Sequence, residues 1–151
     1  MLVSTRGSLY LWDFETKELI LEFKESREVL NFYEKISIKS TWSPDGQLYS
    51  ILCPKEVKLM SINDGSLYAS LEIPFKPVHV EWSPDGAHLA IAGSNAVIVV
   101  DVQQKELICV LEAKVFCDNL MNGPSVALHW MDNKTIIGRY KKAIRVWKLD
   151  Q

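Results

Sequence analysis

Three histidines are the residues best suited to acid–base or metal chemistry in this chain of 151 residues. His79 and His129 lie three residues and one residue before a tryptophan, and His88 opens a later apolar run. The sequence contains no Ser-His-Asp order, His-x-x-x-His pair or glycine-rich phosphate loop to accompany them. We therefore predict no catalytic residues, no bound metal and no cofactor, and we expect a protein that is not an enzyme.

Asp45 and Asp85 are acids repeated at matching places, and carboxylates are one class of acid–base catalyst. Both, however, lie within the sequence Ser-Pro-Asp-Gly. In such a tight turn proline presets φ, aspartate suits the third position and glycine accepts a positive φ at the end. We therefore assign both aspartates to turns that join antiparallel strands.

A basic stretch is the strongest candidate for an electrostatic binding patch. It contains six basic residues and no acidic one: Lys134, Arg139, Lys141, Lys142, Arg145 and Lys148. Lys141 and Lys142 are the best of the set because they fall at a predicted turn. The alternative is an ordinary solvated face, on which Arg145 points outward between two apolar neighbours.

Composition and charge narrow the class of protein. The formal net charge is −2 and 48% of the residues are hydrophobic, so nothing in the overall charge favours nucleic acid or an anionic membrane. No apolar run of membrane-spanning length and no leader-like start occurs in the sequence. The three cysteines, Cys53, Cys109 and Cys117, match no metal-site spacing, and buried reduced thiols are expected for the first two. We expect a cytoplasmic location, with the nucleus as the alternative.

An internal repeat identifies the structural unit. Trp-Ser-Pro-Asp-Gly occurs twice and places Trp42 and Trp82 40 residues apart, and a weaker copy follows at Trp130. A second landmark, which ends an apolar run, follows each tryptophan after 17 or 18 residues, at Met60, Val100 and Trp147. The sequence also opens with this landmark, at Trp12. Two markers at fixed offsets are much harder to meet by chance than one short match.

A period near 40 residues, made of short β-rich runs, is typical of four-stranded propeller blades. Within each blade we label the strands a, b, c and d from the inside outward. We predict an all-β fold, a single domain formed by a partial β-propeller of four-stranded antiparallel blades. Two blades are complete, at residues 36–73 and 78–113. Two are incomplete: residues 1–24 lack strand a, and residues 125–149 lack strand d.

These landmarks resemble the WD-repeat family over nearly the whole chain. The pair Trp12-Asp13 matches the family's signature dipeptide, while Trp147-Lys148 and Val100-Asp101 each match half of it. The resemblance implies a circular propeller used as a docking platform in multiprotein assemblies. The family's Gly-His dipeptide and the aspartate of its b–c turn are absent, so its buried His–Asp–Ser/Thr–Trp hydrogen-bond network is expected to be missing. Apolar packing between degenerate blades must then hold the fold.

The d–a and b–c connections of a propeller emerge on one face, which we call the loop face. The predicted d–a connections at 24–35, 73–77 and 112–124 contain aromatic, Met and basic residues, the types that anchor interfaces. We predict a protein-binding site on this face formed by Arg27, Phe32, Tyr33, Phe75, Lys76, Phe116, Met121, Lys141 and Lys142. The alternative is that Phe32, Phe75 and Phe116 plug the ring or pack beneath their own loops.

These observations predict a non-catalytic protein–protein interaction scaffold in a multiprotein assembly, which binds a protein or peptide through the loop face. One alternative is a basic-face binder of nucleic acid or phosphopeptide, although nucleic acid is disfavoured. The other is a propeller segment accessory to an enzyme elsewhere in a longer chain. No membrane partner is expected. Since propellers usually have four to eight blades, the rest of the ring is expected from a longer chain or from a second copy.

Overall fold

The computed structural model of the chain describes residues 2–5, 8–24, 40–93, 96–112, 126–140 and 143–149. Within these ranges the chain forms 14 antiparallel β-strands. None of the described residues belongs to a helix that is long and apolar enough to cross a bilayer. The chain divides into two compact units, Met1–Ser40 and Thr41–Gln151.

The first unit contains one three-stranded sheet. Its strands are β1 (Leu2–Thr5), β2 (Ser8–Trp12) and β3 (Leu19–Lys24), paired in chain order. Asp13 directly follows β2, and its Oδ1 accepts hydrogen bonds from the backbone N–H groups of Glu15 at 2.7 Å and Thr16 at 2.9 Å. The aspartate of the Trp-Asp pair thus shapes the turn into β3. Those two backbone hydrogen bonds lower the pKa of the Asp13 carboxyl.

The other strands form three sheets, each again paired in chain order. The first consists of β4 (Ser40–Trp42), β5 (Leu48–Leu52), β6 (Glu56–Ser61) and β7 (Leu67–Glu72). The second consists of β8 (His79–Trp82), β9 (His88–Ala92), β10 (Ala96–Asp101) and β11 (Glu106–Glu112). The third has only β12 (Val126–Trp130), β13 (Thr135–Tyr140) and β14 (Ala143–Lys148). This confirms the predicted fold class: a partial β-propeller with two complete and two incomplete blades.

The two Ser-Pro-Asp-Gly turns have the same geometry. In each, the serine Oγ donates to the aspartate Oδ1 at 2.6 Å and accepts the N–H of the residue that opens strand b at 2.9 Å. The glycine N–H donates a hydrogen bond to the serine carbonyl at 2.9 Å. The φ angle is +71° for Gly46 and +73° for Gly86. Asp45 and Asp85 therefore act in turns, as predicted.

Strand c bends at the same place in three of the four sheets. Its register shifts immediately before the landmark residue, at Leu11/Trp12, Leu59/Met60 and Val99/Val100. Five residues after each landmark the backbone has a positive φ, at Lys17 (59°), Gly65 (68°) and Lys105 (61°). Because lysine and glycine adopt the same conformation there, the bulge and its turn are properties of the repeated strand pair.

Apolar side chains fill the space between neighbouring sheets of the second unit, and strand β10 shows how they alternate. Ile98 and Val100 pack into a cluster shared with the β4–β7 sheet. Val97 and Val99 point the other way, into a cluster shared with the β12–β14 sheet. All four side chains are 3% exposed or less. Both faces of a middle blade are thus buried, and the hydrophobic effect holds the sheets together.

A tryptophan hydrogen bond joins each of the last two sheets to the sheet before it. Trp82 Nε1 donates to the backbone carbonyl of Thr41 at 3.3 Å, and Trp130 Nε1 donates to that of Glu81 at 3.1 Å. Each acceptor is the residue just before the tryptophan of the preceding sheet. Trp82 and Trp130 are 6% and 3% exposed. The repeated tryptophan therefore connects blades as well as filling the core.

Candidate functional site

Only part of the predicted loop-face site falls within the residues that the structure describes. The predicted residues Arg27, Phe32, Tyr33, Phe116, Met121, Lys141 and Lys142 lie outside them, as does Cys117. Phe75 and Lys76, in the connection between β7 and β8, are described. The candidate site is therefore built here from that connection and from the turns beside it.

The connection is attached to the scaffold at both ends. The Ile73 N–H donates to the Lys55 carbonyl at 2.9 Å, in the b–c turn of the first complete blade. The Val78 N–H donates to the Ala92 carbonyl at 2.8 Å, beside the b–c turn of the second. Residues 73–78 thus bridge two blades on a rigid base.

Phe75 packs its ring against Gly93. It is half-buried and contacts the apolar cluster between the two complete blades. A Cβ placed on Gly93 would lie only 2.8 Å from Phe75 Cε2, so glycine is needed for this approach. This geometry matches the alternative in which Phe75 packs beneath its own loop. Contact between its exposed part and a partner stays a prediction.

The polar surface of this connection is basic. Lys76 and Lys55 are exposed, and Pro74 is exposed next to Phe75. Pro77, in contrast, is buried, which fixes the backbone beyond Lys76. The exposed groups Pro74 and Lys76 therefore alternate with the anchoring groups Phe75 and Pro77, as expected for a short segment that presents side chains from a fixed backbone.

The basic stretch from Lys134 to Lys148 does not form one patch among its described residues. Arg139 pairs with Ile144, whereas Arg145 pairs with Gly138, so the two arginines point to opposite faces of the sheet. Lys134 and Lys148 lie at the end of the sheet away from the β13–β14 turn. This distribution gives the basic-face alternative no support from the described residues.

A histidine–glutamate cluster lies on neighbouring innermost strands, and the sequence reasoning missed its central residue. The Glu81 carboxylate is 3.6 Å from His79 Nε2 on the same strand and 3.4 Å from His129 Nδ1 on β12. The neighbouring imidazole of His79, and then that of His129, lowers the pKa of Glu81 against the opposing effect of burial. The side chains of His79 and Glu81 are 27% and 30% exposed, and that of His129 is 76% exposed.

The sequence pattern does not predict this cluster, because the cluster forms only where β8 and β12 lie side by side. The one available signal was the alternation of Glu81 and His79 with buried Val80 and Trp82. Groups of three or more His, Cys, Asp or Glu residues able to hold a metal ion do not occur in the described part of the chain. The Glu81–His129 pair is a polar contact between neighbouring blades.

The two described cysteines differ in burial. Cys53 is 4% exposed, as expected, while Cys109 is only half-buried, and neither forms a disulfide. The partial burial of Cys109 still raises the pKa of its thiol. Cys109 lies on an outermost strand, which is covered on fewer sides than the inner strands, so the expectation of full burial was wrong for it.

Comparison with known proteins identifies the fold alone. No protein-family model and no curated protein matches the chain. Among solved structures, it is similar to KlHsv2 with loop 6CD replaced by a Gly-Ser linker, with a TM-score of 0.73 and 16% identity over 96% of this chain and 47% of that one. It is also similar to dihydro-heme d1 dehydrogenase NirN in complex with DHE, with a TM-score of 0.71 and 18% identity over 99% of this chain and 32% of that one.

Both structures are β-propeller proteins, in agreement with the sheets described above. The chain spans less than half the length of either. At these levels of identity, the similarity supports the propeller fold and carries no information about ligands or reactions.

Proposed function

We propose that this chain is part of a WD-type propeller that works as a non-catalytic interaction scaffold. It binds its partners through the loop face. The WD assignment is supported by Trp12-Asp13, whose aspartate shapes the turn after strand c. The partner class is a protein or peptide, and the proposed location is the cytoplasm or the nucleus.

The observation that carries the proposal is the bridge at residues 73–78. Its two ends are hydrogen-bonded to two different blades, and the Phe75 ring packs against Gly93. A binding segment fixed in this way loses little conformational entropy when a partner is bound. Pro74 and Lys76 are held exposed on it, as a docking surface requires.

Two serines and a glutamate that could otherwise suggest catalysis have structural partners. Ser43 and Ser83 bond the aspartates of their own turns, and Glu81 contacts histidines on two strands. These contacts support the blades and the packing between them. This use of polar groups supports a scaffold rather than an enzyme.

Selection from a displayed library of random peptides tests the proposal, with the 151-residue protein as bait. We expect enriched peptides whose affinity falls at least about tenfold with Lys76→Glu, since a tenfold loss corresponds to about 1.4 kcal/mol. The matched control is Lys134→Glu, an exposed lysine in an a–b turn, and therefore at the other end of the strands. Control and wild-type protein should bind equally.

Two results would contradict the proposal: no enrichment of any peptide, or selected peptides whose affinity is the same for the wild-type protein and Lys76→Glu. Preferential binding of mixed-sequence DNA or RNA, weakened equally by both lysine variants, would instead favour the basic-face alternative. Such binding should weaken steeply with added salt.

A further inference from the structure

The last sheet exposes apolar side chains on β14 whose counterparts on other sheets are buried, and Arg139 lies on the same face, opposite Ile144. Ile144 and Val146 on β14 are 72% and 56% exposed. They lie three residues and one residue before the landmark Trp147. The residues at the same two positions on the other sheets of the second unit are all 0% exposed: Val57 and Leu59 on β6, and Val97 and Val99 on β10. The exposure is therefore specific to the last sheet.

The two buried examples show what kind of surface covers such a face. Val57 and Leu59 pack in one cluster with Val80, Trp82 and Ile98 of the following sheet. Val97 and Val99 likewise share a cluster with Leu128, Trp130 and Ile136 of the sheet that follows them. In both cases, the cover is the backward-facing side of another blade.

The first sheet of the chain exposes a surface of that backward-facing type. Trp12 occupies the landmark position on β2, and Tyr10 lies two residues earlier. The equivalent residues on β10 are Val100 and Ile98, which are 3% exposed and pack against the preceding sheet. Trp12, in contrast, is 36% exposed, and Tyr10 is partly exposed.

We propose that the exposed face of the β12–β14 sheet binds the β1–β3 sheet of a second copy of this chain. Ile144 and Val146 of one copy would meet Tyr10 and Trp12 of the other, repeating the contact of Val57 and Leu59 with Ile98 and Val100. The contact continues the packing already present twice in the second unit. Because its two sides are different surfaces, it is a head-to-tail interface.

The mass of the native 151-residue particle tests this proposal, measured by sedimentation or by light scattering after gel filtration. We expect at least twice the 17.2 kDa of the single chain for the wild-type protein. Val146→Asp places a charge in the proposed apolar contact, so its mass should fall to that of one chain. The matched control is Val110→Asp on β11, where the valine is similarly exposed at 53%, and it should keep the wild-type mass.

A second pair of variants tests the head-to-tail arrangement. Trp12→Asp alone should also be a single chain, whereas a mixture with Val146→Asp should form a pair, since each variant keeps the face that the other has lost. Val146→Thr keeps a β-branched side chain and should weaken association. It replaces Val146→Asp in the test if that variant does not fold.

A wild-type mass of 17.2 kDa overturns the proposal. So does an assembly that Val146→Asp leaves intact, or one that Val146→Asp disperses while Trp12→Asp does not. The proposal does not rest on the loop-face function, because Lys76 is unchanged in all these variants and peptide binding can be measured in each of them.

Discussion

Gly93 sets how closely the Phe75 ring approaches the b–c turn of the second complete blade. The need for glycine at a position usually reflects backbone freedom. At position 93 the reason is steric, because the Phe75 ring occupies the space that a Cβ would fill. The sequence placed Phe75 in a connection that could bind or pack. It could not show which glycine receives the ring, because the contact joins two segments through the fold.

Gly93→Ala should lower the free energy of unfolding by about 1–3 kcal/mol, because the ring must move to admit the methyl group. In a Phe75→Leu background the same change should cost less, with a coupling of about 0.5–3 kcal/mol. Urea unfolding of the two single variants and the double variant measures both quantities. Strictly additive losses would show that the ring does not rest on Gly93.

Glu81 shows which part of a site depends on the stacking of sheets. His79 and His129 were visible in the sequence as unrelated histidines, and only the adjacency of β8 and β12 brings both to one carboxylate. Side-chain identity predicts what each group can do. It does not predict the stagger between strands 48 residues apart in the chain.

The Glu81 contact should make stability depend on pH. Since the folded-state pKa of Glu81 is lowered, its stabilisation is present above the ordinary glutamate pKa and is lost as the pH falls through the lowered value. Glu81→Gln should therefore reduce the free energy of unfolding by about 1 kcal/mol or less near neutral pH. Below the lowered pKa, this charge-dependent difference should disappear.

Urea titrations at a series of pH values measure that difference. A variant whose destabilisation is constant from neutral to acid pH would contradict the electrostatic account. His129→Gln is a useful companion, because it should remove only the contact that joins β8 and β12 and leave that between His79 and Glu81.

At the scale of elements, the a–b hairpin was the most predictable part of the chain. Ser-Pro-Asp-Gly specifies a backbone path locally, and both copies fold in the same way. The third copy, Met131-Asp132-Asn133-Lys134, lacks the proline and the glycine, yet Asp132 Oδ1 still accepts the Lys134 N–H at 2.8 Å. The aspartate is thus the feature that all three turns share.

Ser83→Ala should lower the free energy of unfolding by about 1–3 kcal/mol. Ser83 is 0% exposed, and its loss leaves the His88 N–H without its acceptor. Ser43→Ala should have a similar cost, because the same hydrogen bond reaches the Leu48 N–H. Thermal unfolding of both variants checks this, and a neutral effect for both would mean that the turns do not depend on their serines.

Strand c shows where local sequence stops being informative. Its bulges and the positive φ at Lys17 and Lys105 have no glycine signal in the sequence. They follow from the repeated pairing of strands c and d, which is a property of the element as a whole. The landmark position was predicted, but the bend immediately before it was not.

At the scale of the whole molecule, the 40-residue spacing was the decisive predictor, because it fixes one blade per repeat and so the fold class. Apolar runs that are buried on both faces, such as β10, required neighbouring sheets on either side. The sequence did not show which face of the last sheet is exposed. That required the strand register of the structure, which assigns each side chain to one side of the sheet. The loop-face residues outside the described ranges remain predictions.

The central claim is that the repeated sheets stack side by side and are joined by the tryptophan hydrogen bonds. Hydrogen exchange of the indole N–H groups, followed by NMR, tests it most directly. We predict slow exchange for Trp82 and Trp130, which are buried donors to the preceding sheet, and faster exchange for Trp42, which is 36% exposed. Exchange at Trp82 and Trp130 as fast as at Trp42 would contradict the stacked arrangement.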